Sequence, residues 1–248
     1  MTKDFTKRYS SCADDYAKNR PSYPASVIDA ILEGLGEPSD ILAADIGAGT
    51  GIGSHLLAER GVKVYAIEPN EAMIQAAKSH PLVEFYNNPA EKIALPAHLL
   101  DLVVCFQSFH WFNPIKSVLE FHRILKSSGK LAIVWSDFDK NDDFTSTYTS
   151  LVNQIANREL IKERFGDINP IIDSSLFVLS HQYEFSYCHQ INFDGLIGYT
   201  KSSSIVSSEG EIYQEFLSSL KSLYSISKNT SGIVSLIFKA KVYIVLKK

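Results

Sequence analysis

The sequence contains few cysteines, and their number and spacing exclude two common kinds of site. Cys12, Cys105 and Cys188 are three in number and far apart. Neither a disulfide framework nor a paired-cysteine metal site is readable from them. The chain also has little excess of one charge over the other. A net charge of −4 gives no electrostatic case for binding nucleic acid or an anionic membrane. We therefore expect a reducing, cytoplasmic compartment and no metal.

Long apolar runs are missing as well. No stretch approaches the ~20 apolar residues of a membrane span, and the N-terminus, MTKDFTKRYSS, lacks the apolar centre of a secretory signal. Hydrophobic residues make up 45% and charged residues 21% of the 248 residues, as in an ordinary globular domain. The composition predicts one α/β domain with a substantial core and no membrane partner.

Short apolar runs alternate with helical periodicity in the first half of the chain. The first helix is expected at 22–36, and Asn113-Pro114 and Gly129 are expected to begin and end the last. Strands are expected at 41–46, 62–67, 82–86, 101–106 and 130–135. This alternation predicts a doubly wound, mostly parallel sheet.

The alternation ends after Ser136. A helical segment is expected at 139–180, with one face formed by Tyr148, Leu151, Val152 and Ile155. Strand-like stretches follow at 182–191 and 233–246. We interpret the chain as a single domain in three parts: an N-terminal lid and first helix at 1–36, a cofactor-binding core at 37–137, and a helical cap inserted after strand five with closing strands at 138–248.

The glycine-rich turn in ILAADIGAGTGIGSHLL, residues 41–57, admits several interpretations. A dinucleotide fold needs GxGxxG, but Ile52 stands where the third glycine belongs. A mononucleotide phosphate loop needs a lysine that is absent here. A nucleoside with a sulfonium and an amino acid tail needs close backbone approach and two acids. Asp45 can meet its ammonium and Glu68 its ribose, although Glu68 would also suit a nicotinamide cofactor. A structural turn without ligand is the remaining alternative.

Four ordered motifs resemble those of class I S-adenosylmethionine-dependent methyltransferases. They are DIGAGTGIGS, IEPNEAMIQAA, PAEKIALPAHLLDLVV and FHRILKSSGKLAIVW, within residues 40–136. The AxxYxxxRPxYP pattern at 13–24 and FHWF at 109–112 resemble the small-molecule branch that includes trans-aconitate methyltransferase-like enzymes. The resemblance implies a Rossmann-like fold with S-adenosylmethionine as methyl donor and S-adenosylhomocysteine as product. It also implies in-line displacement onto a small-molecule acceptor, a carboxylate or hydroxyl, without a metal.

The resemblance also implies a set of cofactor-binding residues. Asp45, the turn and Gln107 would hold the methionine part, Glu68 the ribose, and the remaining positions the adenine. Tyr16 and Arg20 could clamp the cofactor carboxylate or an anionic substrate. The full set is Tyr16, Arg20, Asp45, Gly47, Ala48, Gly49, Thr50, Gly51, Glu68, Pro69, Asn70, Met73, Pro89, Ala90, Glu91 and Gln107.

The acceptor side is expected after strand four and under the lid. His110 is a candidate general base, although a carboxylate acceptor would need none. Candidate substrate contacts are Tyr9, Trp111, Phe112 and Tyr199. QSFHWF stands where nucleic acid amino-methyltransferases carry [ND]PP[YF], so nucleic acid is disfavoured. A non-catalytic S-adenosylmethionine-binding protein and a nicotinamide-dependent oxidoreductase remain alternatives, and either a monomer or a homodimer is expected.

Overall fold

A computed structural model describes residues 10, 13–156, 166–203, 206 and 209–248. Its centre is a seven-stranded sheet in the order β3-β2-β1-β4-β5-β7-β6. The strands are β1 (Leu42–Ile46), β2 (Lys63–Ile67), β3 (Val83–Tyr86), β4 (Leu100–Phe106), β5 (Leu125–Phe138), β6 (Phe177–Ile191) and β7 (Val234–Lys247). The first five run parallel, β7 is antiparallel to β5, and β6 is antiparallel to β7. The predicted α/β class with a mostly parallel sheet is confirmed.

Helices connect the parallel strands and also fill the second half of the chain. They are α1 (Ala13–Asn19), α2 (Ala25–Leu32), α3 (Ile52–Ala58), α4 (Glu71–Gln75), α5 (Pro114–Ile124), α6 (Asp143–Ile155), α7 (Asn169–Ile172), α8 (Phe193–Lys201) and α9 (Glu211–Ser227). None of the helices in the described part of the chain has the length and apolar character needed to cross a bilayer.

The apolar strands predicted at the centre of the sheet are buried on both faces. In β1, Ala44 and Ile46 belong to one core cluster, and Ala43 belongs to a second cluster on the other face. Successive side chains of a strand point to opposite faces, and helices cover each face of a doubly wound sheet. This is why the central strands read as continuous apolar runs rather than as alternating ones.

The prediction that Gly129 ends the helix after strand four is wrong. The helix α5 ends at Ile124, because Leu125 adopts an extended backbone conformation with φ −73° and ψ 139°. Leu125 pairs with Leu100, and the next pair is Lys130 with Leu102. The register of the ladder therefore shifts here, and residues 126–129 have no paired position on β4. Gly129 therefore lies within β5 rather than at a helix terminus.

The second half of the chain mixes helices with a long antiparallel hairpin. The predicted helix face is confirmed on α6, where Tyr148 is fully buried and Leu151 and Val152 pack against the same cluster. The next strand begins at Phe177, earlier than the expected residue 182, and β7 closes the chain near the expected bounds. The function of these helices as a cap stays a prediction.

The order of the strands creates one crevice suited to a ligand. The chain moves outward from β1 to β2 and β3 and then returns to place β4 on the other side of β1. Ligands of open α/β sheets bind outside the carboxyl ends of the strands at such a reversal. Asp45 lies near the carboxyl end of β1, and Glu68 and Gln107 directly follow β2 and β4.

Candidate active site

A cavity of about 540 Å³ opens at the carboxyl edge of the sheet. It extends from the turn after β1, past the end of β4, to side chains of β5, β6 and β7, and α1, α6 and α8 contribute to its walls. It brings together eight of the predicted site residues, namely Tyr16, Arg20, Gly47, Ala48, Gln107, His110, Trp111 and Tyr199. Glu68, Met73 and the segment 89–91 do not line this cavity. Glu68 and Met73 instead contact Gly49 of the glycine turn.

The glycine turn is held by the protein itself. The N–H groups of Gly47 and Ala48 both donate to the carbonyl of Ile67, at 2.8 and 3.1 Å, and Gly51 N–H donates to the carbonyl of Ala48 at 2.9 Å. Gly49 N–H donates to Oε2 of Glu68 at 2.8 Å. Since these four amides already have acceptors, they are not available to cradle a phosphate. The turn therefore suits a nucleoside ligand that carries no phosphate.

The backbone conformation and packing of the turn require glycine even without a bound ligand. Gly47, Gly49 and Gly51 have φ values of +70°, +59° and +81°, a region that side chains disfavour. A Cβ on Gly47 would lie 2.6 Å from Cβ of Ser108. Close approach to a ligand is thus not the only reason for the alternating glycines.

Asp45 is a buried carboxyl with one satisfied and one unsatisfied oxygen. Its Oδ2 accepts a hydrogen bond from Oγ of Ser54 at 2.7 Å, whereas Oδ1 has no hydrogen-bond partner among the described residues. Burial raises the pKa of Asp45 to about 7, with opposition from the Ser54 hydrogen bonds and a further rise from Glu68. A cationic ligand group at Oδ1 would satisfy the oxygen and favour the ionised carboxylate.

Glu68 joins the glycine turn to the start of α4. Its Oε2 accepts from Gly49 N–H, and its Oε1 accepts from Asn70 N–H at 2.9 Å. Burial raises the pKa of Glu68, and these two amide hydrogen bonds oppose the rise. Asn70 caps α4 by accepting from the amides of Ala72 and Met73. The predicted cap is confirmed, and the Asn70 amide helps to hold the Glu68 carboxylate in place.

The other residues predicted near an adenine differ in their surroundings. Met73 is buried, and its Cε would lie 3.2 Å from a Cβ on Gly49. Ala90 is buried in the core, and Glu91 accepts from the Asn113 amide at 2.6 Å at the start of α5. Three more predicted positions flank the same crevice, with Pro69 half-buried, Pro89 exposed and Thr50 buried. The Thr50 hydroxyl has no partner in the described part of the chain.

Gln107 directly follows β4, and its backbone departs from the extended conformation of the strand. Its φ of +55° is unusual for a residue other than glycine. Its amide donates to the Val134 carbonyl at 2.9 Å, and its side-chain Nε2 donates to the carbonyl of Ser136. The side-chain oxygen Oε1 accepts no hydrogen bond from any described residue. Strained residues of this kind are frequent at functional sites.

Arg20 connects the N-terminal helix to α8 over the cavity. Its guanidinium carbon lies 5.0 Å from the ring centroids of both Tyr16 and Tyr199. One guanidinium nitrogen donates to the carbonyl of Ser202 at 3.3 Å. Cation–π contacts of this length are favourable. Tyr16, Arg20 and Tyr199 therefore lie close together, and Tyr16 of α1 forms part of one wall of the cavity.

The segment after β4 divides between cavity and core. His110 and Trp111 lie in a short 3-10 helix, with ring centroids 4.7 Å apart, and both line the cavity. Phe112 instead packs against Phe109 and Phe121, with ring centroids 6.2 Å from each. Phe112 is half-buried, and the tip of its ring would lie 3.0 Å from a Cβ on Gly47, so its predicted contact with the acceptor stays a prediction. Tyr9, the other predicted contact, lies outside the described residues.

Several cavity residues were missed by the sequence analysis. Phe138, Tyr187 and Phe238 line the cavity from three different strands. Tyr23 also lines it, with its ring centroid 4.9 Å from that of Phe106 and the two planes tilted by 39°. No local motif marks them. The run of aromatic residues at alternate positions before Ile191 was a usable signal for one of the three strands.

Comparisons with known proteins agree with the fold. Residues 44–133 match a family model described as a methyltransferase domain. A protein of Dictyostelium discoideum that carries a methyltransferase name is 28% identical over 260 residues, which cover 98% of this chain and 95% of the relative. An uncharacterized methyltransferase of Mycobacterium tuberculosis is 32% identical over 139 residues, 56% of each chain.

Solved structures show the same fold. A methyltransferase structure from Anaeromyxobacter dehalogenans has a TM-score of 0.65 at 22% identity, and the match covers 92% of this chain and 97% of that one. Geranyl diphosphate C-methyltransferase from Streptomyces coelicolor, solved with S-adenosyl-L-homocysteine, has a TM-score of 0.53 at 12% identity, with 90% and 76% covered.

The fold and these matches support an assignment of this chain as an S-adenosylmethionine-dependent methyltransferase. The residues present fit its methyl donor. The free Oδ1 of Asp45 suits an ammonium, and the amides of the glycine turn leave no phosphate cradle.

Proposed function

We propose that this protein transfers the methyl group of S-adenosylmethionine to an oxygen of a small-molecule acceptor. The observation that carries the proposal is the single cavity of about 540 Å³, which joins the glycine turn and Gln107 to an aromatic pocket under α1 and α6. A cavity enclosed by several elements suits a small molecule rather than a polymer. This agrees with the resemblance to the trans-aconitate methyltransferase-like branch.

The cofactor would lie across the reversal point between β1 and β4. Asp45 would accept from its ammonium, and Glu68 would accept from the ribose hydroxyls with the lone pairs that Gly49 and Asn70 leave free. Gln107 Oε1 would accept from the same methionine segment. The contacts proposed for the adenine are Pro69, Asn70, Met73, Pro89, Ala90 and Glu91. When bound, S-adenosylmethionine supplies a methyl group made electrophilic by its sulfonium.

The chain's part in catalysis would be mainly positioning. In-line displacement needs the acceptor oxygen held on the axis of the breaking bond, and such positioning can supply several kcal/mol, roughly 7–11 in the best intramolecular cases. Trp111 and Tyr199 would form walls of the acceptor pocket, and α1 would limit access of water. For a hydroxyl acceptor, His110 would remove the proton. For a carboxylate acceptor, the same residue would serve only as a wall.

The proposal is tested in two steps. Thermal melting with S-adenosylmethionine, S-adenosylhomocysteine and NAD should show stabilisation by the first two and none by NAD. Incubation with methyl-labelled S-adenosylmethionine and a metabolite library should then yield a labelled small molecule. Stabilisation by NAD instead would support an oxidoreductase, and stabilisation without any labelled product would support a non-catalytic binder.

A further inference from the structure

The hydroxyl of Tyr23 is a hydrogen-bond donor in the cavity that the protein does not use itself. Tyr23 stands between α1 and α2 and lines the cavity. Two other cavity tyrosines have paired hydroxyls, since Oη of Tyr187 lies 2.6 Å from Oγ of Ser136 and Oη of Tyr148 lies 2.8 Å from Oγ1 of Thr200. Oη of Tyr23 has no hydrogen-bond partner among the described residues. It is therefore available to a ligand.

The surroundings of Tyr23 hold its ring in place. The ring centroid lies 4.9 Å from that of Phe106, with the two planes tilted by 39°. The Phe106 ring in turn packs against α3, where a Cβ on Gly53 would lie 2.1 Å from it. Pro21 and Pro24 flank Tyr23 in the chain and restrict its backbone. A donor held in this way loses little conformational freedom when a ligand binds.

Groups of opposite charge lie within electrostatic range of this hydroxyl. Burial raises the pKa of Tyr23 well above its ordinary value, Tyr187, Tyr16 and Asp45 add to the rise, and Arg20 opposes it. The phenol therefore stays protonated at neutral pH and can donate. An acid and a guanidinium near one donor suit an amino acid tail, which carries an ammonium and a carboxylate on the same carbon.

The carboxylate of such a tail needs donors close to the point where its ammonium binds. Four amides of the glycine turn already have acceptors within the protein, those of Gly47, Ala48, Gly49 and Gly51. Asp137, which also lines the cavity, lies beside Tyr199 and helps to raise its pKa, so that part of the cavity disfavours a second carboxylate. The free hydroxyl of Tyr23 is not engaged in this way.

We propose that Oη of Tyr23 donates a hydrogen bond to the carboxylate of the methionine tail of S-adenosylmethionine, while Asp45 accepts from the ammonium of the same tail. This inference rests on the proposed function. A hydrogen bond to an ionised acceptor is stronger than one between neutral groups. Tyr23 is thus a binding residue that makes the site selective for the complete amino acid tail.

Two matched ligands test the inference. Decarboxylated S-adenosylmethionine keeps the sulfonium and the ammonium of S-adenosylmethionine and lacks only the carboxylate. Both are titrated at pH 7.5 by calorimetry into the full chain and into Tyr23→Phe, which keeps the ring that packs against Phe106. The variant should bind S-adenosylmethionine at least fivefold more weakly and the decarboxylated ligand within twofold of the wild type. A general disturbance of the site would weaken both ligands alike.

Two further variants serve as controls. Tyr183→Phe removes a tyrosine hydroxyl outside the cavity, where it donates to Glu33, and should change neither affinity. Asp45→Asn should weaken both ligands, because both carry the ammonium. The inference is overturned if Tyr23→Phe binds S-adenosylmethionine as the wild type does, or if both ligands lose affinity equally. If the wild type does not bind S-adenosylmethionine at all, it is the proposed function that fails.

Discussion

Oγ of Ser54, in the first turns of α3, lies 2.7 Å from Oδ2 of Asp45 near the end of β1. This contact fixes one side of a buried carboxyl, while Oδ1 on the other side has no partner among the described residues. A carboxyl held in this way is costly to ionise by itself and gains most when a cation arrives. The proposed ammonium of the methyl donor is such a cation.

The affinity for S-adenosylhomocysteine should rise with pH. Burial raises the pKa of Asp45 to about 7, so the carboxyl is mostly protonated at pH 5.5 and mostly ionised at pH 7.5. Only the ionised form attracts an ammonium, and we expect a gain of roughly tenfold or more in affinity over this range. Calorimetry at the two pH values measures the gain. Asp45→Asn should bind weakly at both, and an Asn variant that retains the wild-type pH profile would exclude Asp45 as its source.

The same carboxyl should reduce the stability of the ligand-free protein at high pH. The native state holds the proton up to about pH 7, whereas an unfolded Asp releases it near 3.8. The native state therefore binds more protons between these values, and stability falls as pH rises through the window. Relative to the wild type, Asp45→Asn should gain on the order of 2–3 kcal/mol between pH 5 and pH 8. Urea unfolding at both pH values measures this, and a gap that does not change with pH would contradict it.

Glu68→Gln should weaken S-adenosylhomocysteine binding by at least about tenfold, a loss of ~1.4 kcal/mol. The amide replaces one carboxylate oxygen that accepts from Gly49 or Asn70 with a donor, and it removes the charge offered to the ribose. Glu71→Gln is the control, because Glu71 is exposed and lies three residues further along the chain. Equal affinities of the two variants in calorimetry would show that Glu68 makes no contact with the ligand.

Arg20→Ala should weaken cofactor binding, because the guanidinium that stacks between Tyr16 and Tyr199 would be lost from the cavity wall. Arg20→Lys should recover little, since an ammonium lacks the planar stacking surface. Lys18→Ala removes an exposed cation from the same helix and serves as the control. Calorimetry with S-adenosylhomocysteine compares the three variants. Unchanged affinity in Arg20→Ala would exclude a contribution of Arg20 to cofactor binding.

Gly53→Ala should lower the free energy of unfolding although alanine is the better helix former. A Cβ at this position of α3 would lie 2.1 Å from the Phe106 ring of β4. Overpacking of this kind costs roughly 1–3 kcal/mol, which exceeds the gain of ~1 kcal/mol in helix propensity. Chemical denaturation measures the difference. In a Phe106→Val background, Gly53→Ala should lower the free energy of unfolding by less, because the ring that the methyl group meets is gone. An equal loss with and without Phe106→Val would show that the clash is not with Phe106.

Sequence reasoning predicts the features that depend on residues close together in the chain, such as strands, helix caps and glycine turns. Apolar runs of strand length fold as strands, Asn70 caps α4 through its own side chain, and Asn113 caps α5 in the same way. Positive φ at Gly47 and Gly49 follows from residue type and position. Asp45 and Glu68 lie at the same edge of the sheet because β1 and β2 are neighbouring parallel strands. The alternation of strands and helices already predicts this arrangement. The cofactor crevice was therefore accessible to sequence reasoning.

The aromatic end of the cavity depends on contacts between residues that are far apart in the sequence. Phe138, Phe238 and Tyr187 become neighbours through the registers of β5, β6 and β7, and no local propensity sets a register between strands so distant in the chain. The inclusion of Gly129 in β5 depends in the same way on non-local pairing, here with β4. Backbone conformation follows from neighbouring residues, whereas the shape of a pocket depends on which distant side chains the fold brings together.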